Sequence, residues 1–246
     1  MMRNITIPLL AACGLSACSS TINMPLDHAK LADGYINSST LDFGHVLVWD
    51  TKSNRVESIF RITPQMVPTA SVDSGPRYHS KDASVSRDTK IELSAAPAVT
   101  EAAKGEAVAQ FINTTEVTLS NYNPREYRDA RYTLNSPELR QWRQSLSEEY
   151  TGPQYRFIFI SRVTDGDEIH IGHKSAGNLG VEANVVQAGQ YKFKVTYDNK
   201  SAVTIKAEQA PLTIRPSVFS FSIQGDSYRF DRDLNTPLQF QSVNRG

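Results

Sequence analysis

Histidine and carboxylate side chains that could hold a metal ion come together at one place in the chain. His170 and His173 are three residues apart, and the carboxylate-rich sequence DGDE occupies residues 165–168. On a strand this histidine spacing places the two rings on opposite faces, so they share an ion only where Gly172 begins a turn. A calcium loop needs more oxygen ligands at regular offsets and a closing glutamate, and the sequence has neither. We therefore expect a plain β-turn at 165–168, with no metal and no cofactor.

The sequence carries none of the usual local signatures of covalent catalysis. It has no Gly-x-Ser-x-Gly elbow, no phosphate loop and no dinucleotide-binding fingerprint, and both cysteines lie within the first 18 residues. His45, His79 or His170 could meet a serine or a carboxylate in space, because a catalytic triad is defined by geometry and not by sequence order. A serine-rich chain always permits that arrangement, so we expect a non-enzymatic protein and keep a hydrolase as the weakest alternative.

The most unusual stretch is NYNPREYRDARY at residues 121–132, which contains three arginines and three tyrosines. Both residue types are favoured at binding surfaces, where they provide planar area, cation–π contacts and recognition of anions. Asn123 as an N-cap, with a glutamate three residues later, favours a short helix over 124–132. The alternative is an exposed linker helix with local ion pairs. The candidate partner-binding residues are Tyr122, Arg125, Tyr127, Arg128, Arg131 and Tyr132.

Composition excludes several classes of protein. The 246 residues include 26 basic and 26 acidic side chains, and 39% are hydrophobic. This chain is too apolar for a disordered protein, and its balanced charge argues against a nucleic-acid partner bound through a basic surface. The sequence has no apolar run of about 18 residues, which a membrane-spanning helix would need.

The first 18 residues have the layout of a secretory signal followed by a cysteine. Arg3 supplies a positive start, residues 5–12 form a short apolar region, and the junction reads Leu15-Ser16-Ala17-Cys18. This junction resembles the lipobox of bacterial lipoprotein precursors. The resemblance implies that signal peptidase II removes residues 1–17 and that Cys18 carries the lipid, palmitate included. A second box ending at Cys13, or an ordinary cleaved signal, is the alternative.

The resemblance also implies a location. Several acyl chains hold a protein on a membrane for long periods, and Ser19 after the cysteine favours the outer membrane by resemblance to enterobacterial sorting. The sequence does not distinguish the periplasmic face of that membrane from its outer face. Residues 18–41 are polar and aperiodic, so we expect a lipid-anchored flexible tether that reaches at most roughly 75 Å.

The remaining residues, 42–246, predict one β-rich globular domain. Short strands with turn residues between them favour an α+β, mainly β fold, an antiparallel β-sandwich with two or three inserted helices. The alternative is a subdivision into two small β-domains near residues 121–135. Residues 63–90 form a long polar segment, which we expect to be a functional or mobile loop. The predicted elements are a hairpin over 44–62, helices over 100–113 and 136–149, a covered strand over 157–160, and strands near 168–171, 191–197, 203–207, 212–214 and 219–223.

A second, looser resemblance lies at residues 185–191. The sequence VVQAGQY, followed by alternating apolar and polar residues, is similar to the corner of prealbumin-like and PEGA-type envelope β-sandwiches. Ala188 stands where those domains often have proline. Such domains share architecture rather than chemistry, so the resemblance implies a fold only.

Taken together, the sequence favours a membrane-anchored envelope lipoprotein that is a non-enzymatic accessory or assembly subunit of a cell-envelope complex. We expect an envelope protein partner at residues 122–132 and 63–90. The first alternative is a surface module that binds glycan or lipid, with Tyr122, Tyr127 and Trp142 lining a groove. A cell-wall hydrolase is the second alternative.

Overall fold

The computed structural model describes most of the chain after Ser20. The described residues are 20–25, 29–32, 34–37, 41–86, 92–94, 101–173, 181–186, 194–199, 202–206 and 210–238. The predicted signal peptide, the lipobox cysteine and most of the prealbumin-like motif lie outside these residues.

The described part of the chain contains sixteen strands, three α-helices and one 3-10 helix. The helices are α1 (Glu101–Thr114), α2 (Ala130–Leu134) and α3 (Arg140–Glu149), with the 3-10 helix at Pro137–Leu139. The strands are β1 (Ser20–Pro25), β2 (Lys30–Leu31), β3 (Gly34–Ile36), β4 (His45–Asp50), β5 (Arg55–Arg61), β6 (Val72–Ser74), β7 (Tyr78–Ala83), β8 (Glu92–Ser94), β9 (Thr115–Tyr127), β10 (Tyr155–Asp165), β11 (Glu168–His173), β12 (Val181–Val186), β13 (Lys194–Asn199), β14 (Ala202–Lys206), β15 (Thr213–Gln224) and β16 (Ser227–Arg232).

Thirteen of the strands form one sheet, in which every pairing is antiparallel. Its main path runs β13-β14-β11-β9-β10-β15-β3-β2, and the hairpin of β4 and β5 joins at β10. A separate three-stranded sheet has the order β12-β1-β8, with β1 and β12 parallel. The mainly β, α+β class predicted from the sequence is therefore confirmed. The two-layer arrangement of a sandwich stays a prediction.

The long strand β9 joins the two halves of the main sheet. Its first part, through Ser120, pairs with β11, and its last part, from Asn123, pairs with β10. Between these parts Asn121 has a φ of 47°, a left-handed conformation that asparagine tolerates better than most residues. The helix predicted over 124–132 is therefore wrong: strand pairing continues to Tyr127, and the helix α2 begins only at Ala130.

The larger apolar core lies between the helices and the sheet. Leu134, Leu139 and Leu146 are buried against residues of β4, β10, β15 and β16. Trp142 of α3 stacks between Phe60 and Phe230, with ring centroids 4.8 and 5.6 Å apart. The helical spacing that predicted α3 is therefore the pattern that buries its apolar side.

A smaller apolar core is built around the first half of β9. It contains Phe111 at the end of α1 and the alternate residues Ile169 and Ile171 of β11. Val203 and Ile205 of β14 pack in the same cluster. Helix α1, predicted over 100–113, is confirmed at Glu101–Thr114.

Several locally predicted elements are confirmed. The hairpin over 44–62 is β4 and β5, the covered strand over 157–160 lies within β10, and 168–171 lies within β11. Ser136 makes no side-chain capping hydrogen bond, and Pro137 begins a 3-10 turn before α3. The guanidinium of Arg143 is buried and donates to the carbonyls of Leu134 and Ser136, at 2.9 and 2.7 Å. Arg143 thus ties α3 to the end of α2.

The expectation of a flexible tether over 18–41 is wrong for residues 29–32 and 34–37. Ala29, Leu31 and Ile36 are buried in the smaller core, and β3 pairs with β15. Gly34 has a φ of 145°, and a Cβ there would lie 2.5 Å from the carbonyl oxygen of Ile214. The apolar residues of this segment are too few and too irregularly spaced to predict strands. The pairing of β3 with β15 is a contact between distant parts of the chain, which local spacing does not reveal.

The expectation of a long loop over 63–90 is also corrected. Within this segment, β6 pairs with the end of β9, and β7 pairs with β9 from Val117 to Tyr122. The polar composition of β7 agrees with its position, because its residues are exposed or half-buried. Local periodicity could not reveal these strands, since β9 lies more than thirty residues further along the chain.

Candidate functional site

The arginine–tyrosine segment, residues 122–132, spans the end of β9, a short connection and the start of α2. The carboxylate of Asp129 caps α2 by accepting a hydrogen bond from the amide of Tyr132 at 2.8 Å. Tyr122, Arg125 and Tyr127 therefore lie on β9, whereas Arg131 and Tyr132 lie on α2 and Arg128 lies in the connection between them.

Arg125 is held in place by two carboxylates. Its Nε and Nη2 donate to the carboxylate of Asp165 at 2.5 and 3.0 Å, and Nη2 lies 3.5 Å from Asp42. The guanidinium also lies over the ring of Phe43, 5.3 Å from its centroid. The hydrogen bond with Asp165 raises the pKa of Arg125, and burial opposes this effect only in part. Arg125 therefore joins β9 to the end of β10.

Tyr127 packs in the core rather than at the surface. The residue is 1% exposed, its ring stacks on Phe43 at a centroid distance of 4.5 Å, and its hydroxyl donates to the carbonyl of Ile62 at 3.3 Å. Burial raises the pKa of Tyr127 to about 12, so the phenol stays neutral. The expectation that Tyr127 contacts a partner is corrected, because its side chain is not accessible.

Three of the candidate partner-binding residues are exposed. Arg128 pairs with Asp73 of β6 at 2.7 Å, and their side chains are 66% and 53% exposed. Arg131 lies 3.1 Å from Asp231 of β16, and Tyr132 is 53% exposed. Exposed ion pairs of this kind contribute little to stability, so these side chains remain available for contact.

Tyr122 joins the segment to β7. Its ring stacks on Tyr78 at a centroid distance of 5.0 Å, and Tyr78 is 43% exposed. Next to this pair, Arg77 donates to Asp167 at 2.8 Å and to the carbonyl of Asn121 at 3.3 Å. Sequence analysis did not single out Tyr78 or Arg77, since only the pairing of β7 with β9 brings them to Tyr122.

The two segments that we expected to contact a partner thus lie side by side. We call this region the β6–β9 surface and define it by Tyr78, Tyr122, Arg128 and Tyr132. It combines aromatic area with an arginine, the composition common at protein interfaces.

The aromatic groove expected for a glycan-binding module is not formed by the three residues proposed for it. Tyr127 is buried, and Trp142 is stacked between Phe60 and Phe230. Of the three, Tyr122 alone reaches the β6–β9 surface.

His45, His79 and His170, the three histidines considered for catalysis, lie on separate strands. His45 of β4 accepts a hydrogen bond from the amide of Asp42 at 3.2 Å, and burial and the nearby Arg61 lower its pKa. His79 is exposed on β7, and His170 of β11 is 3.1 Å from the hydroxyl of Thr204. Within the described ranges, no three histidine, cysteine or acidic residues are grouped as metal ligands. None of the helices in the same ranges has both the length and the apolar character needed to cross a bilayer.

Comparisons with known proteins identify no family for this chain. No protein-family model matches it, and no curated protein is significantly similar. Among solved structures, it is similar to a bacterial gasdermin from Bradyrhizobium tropiciagri, with 9% sequence identity, 85% of each chain covered and a TM-score of 0.36.

Proposed function

We propose that this chain is a membrane-anchored envelope lipoprotein and a non-enzymatic accessory or assembly subunit of a cell-envelope complex. The Leu15-Ser16-Ala17-Cys18 junction supports the anchor, and the missing retention aspartate supports the outer membrane. The proposal includes lipid on Cys18, an envelope protein as partner and the two-layer β-sandwich expected from the strand spacing.

The β6–β9 surface is the observation that best supports a protein partner. Two segments far apart in sequence are brought together there by strand pairing, and both present exposed tyrosine or arginine side chains. Because β6 and β7 both pair with β9, their backbones are held by the hydrogen bonds of the main sheet. A fixed backbone lowers the entropy cost of binding a partner.

The position of β1 affects how far from the membrane a lipid on Cys18 would hold the domain. Ser20 begins β1 only two residues after Cys18, and two residues span at most about 7 Å. A lipid on Cys18 would therefore hold β1 and its neighbours close to the head groups. We propose that the subunit works near the membrane surface and not at the end of a long tether.

Site-specific photo-cross-linking in intact cells tests this proposal. A cross-linking amino acid at Tyr78 or Tyr132 should capture one discrete envelope protein. The same amino acid at Gln144, which is exposed on α3, is the matched control and should not capture it.

A Cys18→Ala variant tests the anchor in the same cells. It should lose incorporation of a labelled palmitate analogue, leave the membrane fraction and lose the Tyr132 cross-link. Palmitate incorporation that persists in Cys18→Ala contradicts the anchor. Capture of only lipid or glycan at both tyrosine positions contradicts the protein partner and supports the binding-module alternative.

A further inference from the structure

A polar cleft of about 600 Å³ opens between the start of α2 and strands β15 and β16. Ser161, Ser217 and the buried Phe219 line it. Arginine side chains from three elements also line it, namely Arg128, Arg131, Arg215 and Arg232. Its volume falls within the range of sites that hold small molecules, about 300–1,000 Å³.

A β-bulge in β10 shapes this cleft. The register against β15 shifts between Ile160 and Arg162, which leaves Ser161 as an extra residue. Phe159 lies opposite Ser217, and Arg162 lies opposite Arg215. Residues directly opposite each other share a face, and residues 215 and 217 share one by alternation. The bulge therefore turns Arg162 onto the face that carries Arg215.

The bulge places two arginines directly across a strand pair, an arrangement that is unfavourable unless negative charge compensates it. Arg162 is compensated by Glu126, at 3.4 Å. Among the described residues, Arg215 has no carboxylate partner, and the buried Nε of Arg162 has no hydrogen-bond partner.

The cleft as a whole has surplus positive charge. Its two carboxylates are already engaged, Glu126 with Arg162 and Asp129 with the amide of Tyr132. Arg232, like Arg215, is exposed and pairs with no carboxylate in the part of the chain that the structure describes. By contrast, Arg128 and Arg131 are paired with carboxylates that do not line the cleft.

We propose that this cleft binds a phosphate group with two negative charges, carried by a small molecule or by a lipid head group. Arg215 and Arg232 supply the charge from neighbouring strands. The hydroxyls of Ser161 and Ser217 are hydrogen-bonded to each other at 3.3 Å, which leaves one O–H free to donate to the phosphate. A tetrahedral phosphate accepts hydrogen bonds from several directions, whereas a planar carboxylate accepts them mainly in its plane. Donors from three strands, β10, β15 and β16, therefore favour phosphate.

Calorimetric titration of the purified full chain with inorganic pyrophosphate tests the site. We expect saturable binding that weakens as salt is added, because the contact is between charges. Arg215→Gln and Arg232→Gln should each weaken binding about tenfold, and the double variant should abolish it. Arg55→Gln is the matched control: Arg55 is exposed on β5 and lies outside the cleft, so its replacement should leave the affinity unchanged.

A second arm distinguishes the source of the phosphate. The same variants are sedimented with phosphatidylcholine vesicles that contain or lack phosphatidic acid. Binding to the acidic vesicles alone, weakened in Arg215→Gln, assigns the site to a lipid head group. Binding to pyrophosphate alone assigns it to a soluble phosphate compound.

The proposal is overturned if neither probe binds, or if Arg55→Gln weakens binding as much as Arg215→Gln does. If neither probe binds but polyglutamate does, the proposal is overturned in favour of an acidic protein partner for the cleft. Melting temperatures of the variants establish that each one folds. The titration requires no envelope partner and no acyl chain, so its failure is separate from failure of the proposed function.

Discussion

Tyr127 and Arg128 are neighbours in sequence and have opposite environments. The tyrosine is 1% exposed and packs on Phe43 and Phe159, whereas the arginine side chain is 66% exposed. This division is expected where an antiparallel strand has one covered face, since successive side chains project to opposite sides. The residue types alone suggested that both side chains contact a partner. Only their burial shows that Tyr127 belongs to the core and Arg128 to the surface.

Replacement of Tyr127 should separate its packing from its hydrogen bond. Tyr127→Ala removes a stacked, buried ring, and we expect the free energy of unfolding to fall by about 3–5 kcal/mol. Tyr127→Phe loses only the 3.3 Å hydrogen bond to Ile62 and should cost about 1 kcal/mol. Urea unfolding of both variants measures the difference. Equal losses would show that packing is not the main contribution of this residue.

Asp233 should make the stability of the protein sensitive to acid. Burial by itself raises the pKa of Asp233, but hydrogen bonds from Thr236 and Arg156 outweigh burial and lower the pKa. The folded state therefore binds a proton less readily than the unfolded chain does. The stabilising contribution of the carboxylate is complete above the unfolded pKa, about 3.9, and is lost as the pH falls through the folded pKa.

Asp233→Asn should accordingly be less stable than the parent chain at neutral pH and lose less further stability below about pH 4. Urea unfolding at a series of pH values measures this slope. Asp226→Asn is the matched control, because it also removes one carboxylate but from the exposed turn between β15 and β16. Identical slopes for the Asp233 and Asp226 variants would contradict the prediction.

Among the elements, β9 determines how the two halves of the sheet are connected. It pairs with β11 before Asn121 and with β10 and β6 after it, while its pairing with β7 continues past Asn121 to Tyr122. The positive φ of Asn121 redirects the strand between these two sets of partners. Its side chain donates to Asp167 at 2.7 Å and so joins the bend to the turn that precedes β11.

The bend at Asn121 should reverse the usual preference of strands for alanine over glycine. Asn121→Ala and Asn121→Gly both lose the hydrogen bond to Asp167, but only alanine keeps a Cβ in a left-handed conformation. We expect Asn121→Gly to be more stable than Asn121→Ala by about 1 kcal/mol. Thermal or urea unfolding of the pair measures this difference. A less stable glycine variant would mean that the bend does not require a positive φ.

For the molecule as a whole, the N-terminal segment belongs to the fold. Ala29, Leu31 and Ile36 complete the smaller core, and Asn37 is buried with its side-chain amide donating to the carbonyls of Leu41 and Pro211 at 2.8 and 2.9 Å. The packed part of the chain therefore includes residues before 42. Any membrane attachment at Cys18 would act on a folded element rather than through a free chain.

Shortening side chains in this N-terminal segment should therefore destabilise the protein. Leu31→Ala and Ile36→Ala each remove a fully packed side chain, and we expect losses of about 2–5 kcal/mol in the free energy of unfolding. Ala32→Ser, at an exposed neighbouring position, should change it by less than about 0.5 kcal/mol. Chemical denaturation compares the three variants. If both alanine variants behave like Ala32→Ser, the segment is a tether after all.

Elements with strong local patterns could be predicted from the sequence. The hairpin of β4 and β5 has β-branched residues on either side of a polar turn, and α1 and α3 repeat apolar residues at helical spacing. In each of these elements the burial pattern and the turn or helix signal lie within about twenty residues. The class of fold, mainly β with a few helices, follows from the number of such segments.

The candidate site could be predicted only in part, because its members come from distant strands. The sequence singled out Arg128, Arg131 and Tyr132, which are exposed, but also Arg125 and Tyr127, which the structure places in an ion-pair cluster and in the core. It gave no sign of Tyr78, Arg215 or Arg232. These side chains gain a shared environment only through the pairing of β7 with β9, and of β15 with β10 and β16.

By itself, the sequence determined the fold class, the locally patterned hairpin and helices, and the expectation of a lipid anchor at Cys18, because each depends on neighbouring residues. Only the tertiary structure decided that residues 29–32 and 34–37 are folded, that 124–127 is strand and that a bulge at Ser161 turns Arg162 onto the face of Arg215. These features depend on pairing between distant strands. Hydrogen bonds and burial supplied by such partners outweigh the weak local preferences that a single sequence reveals.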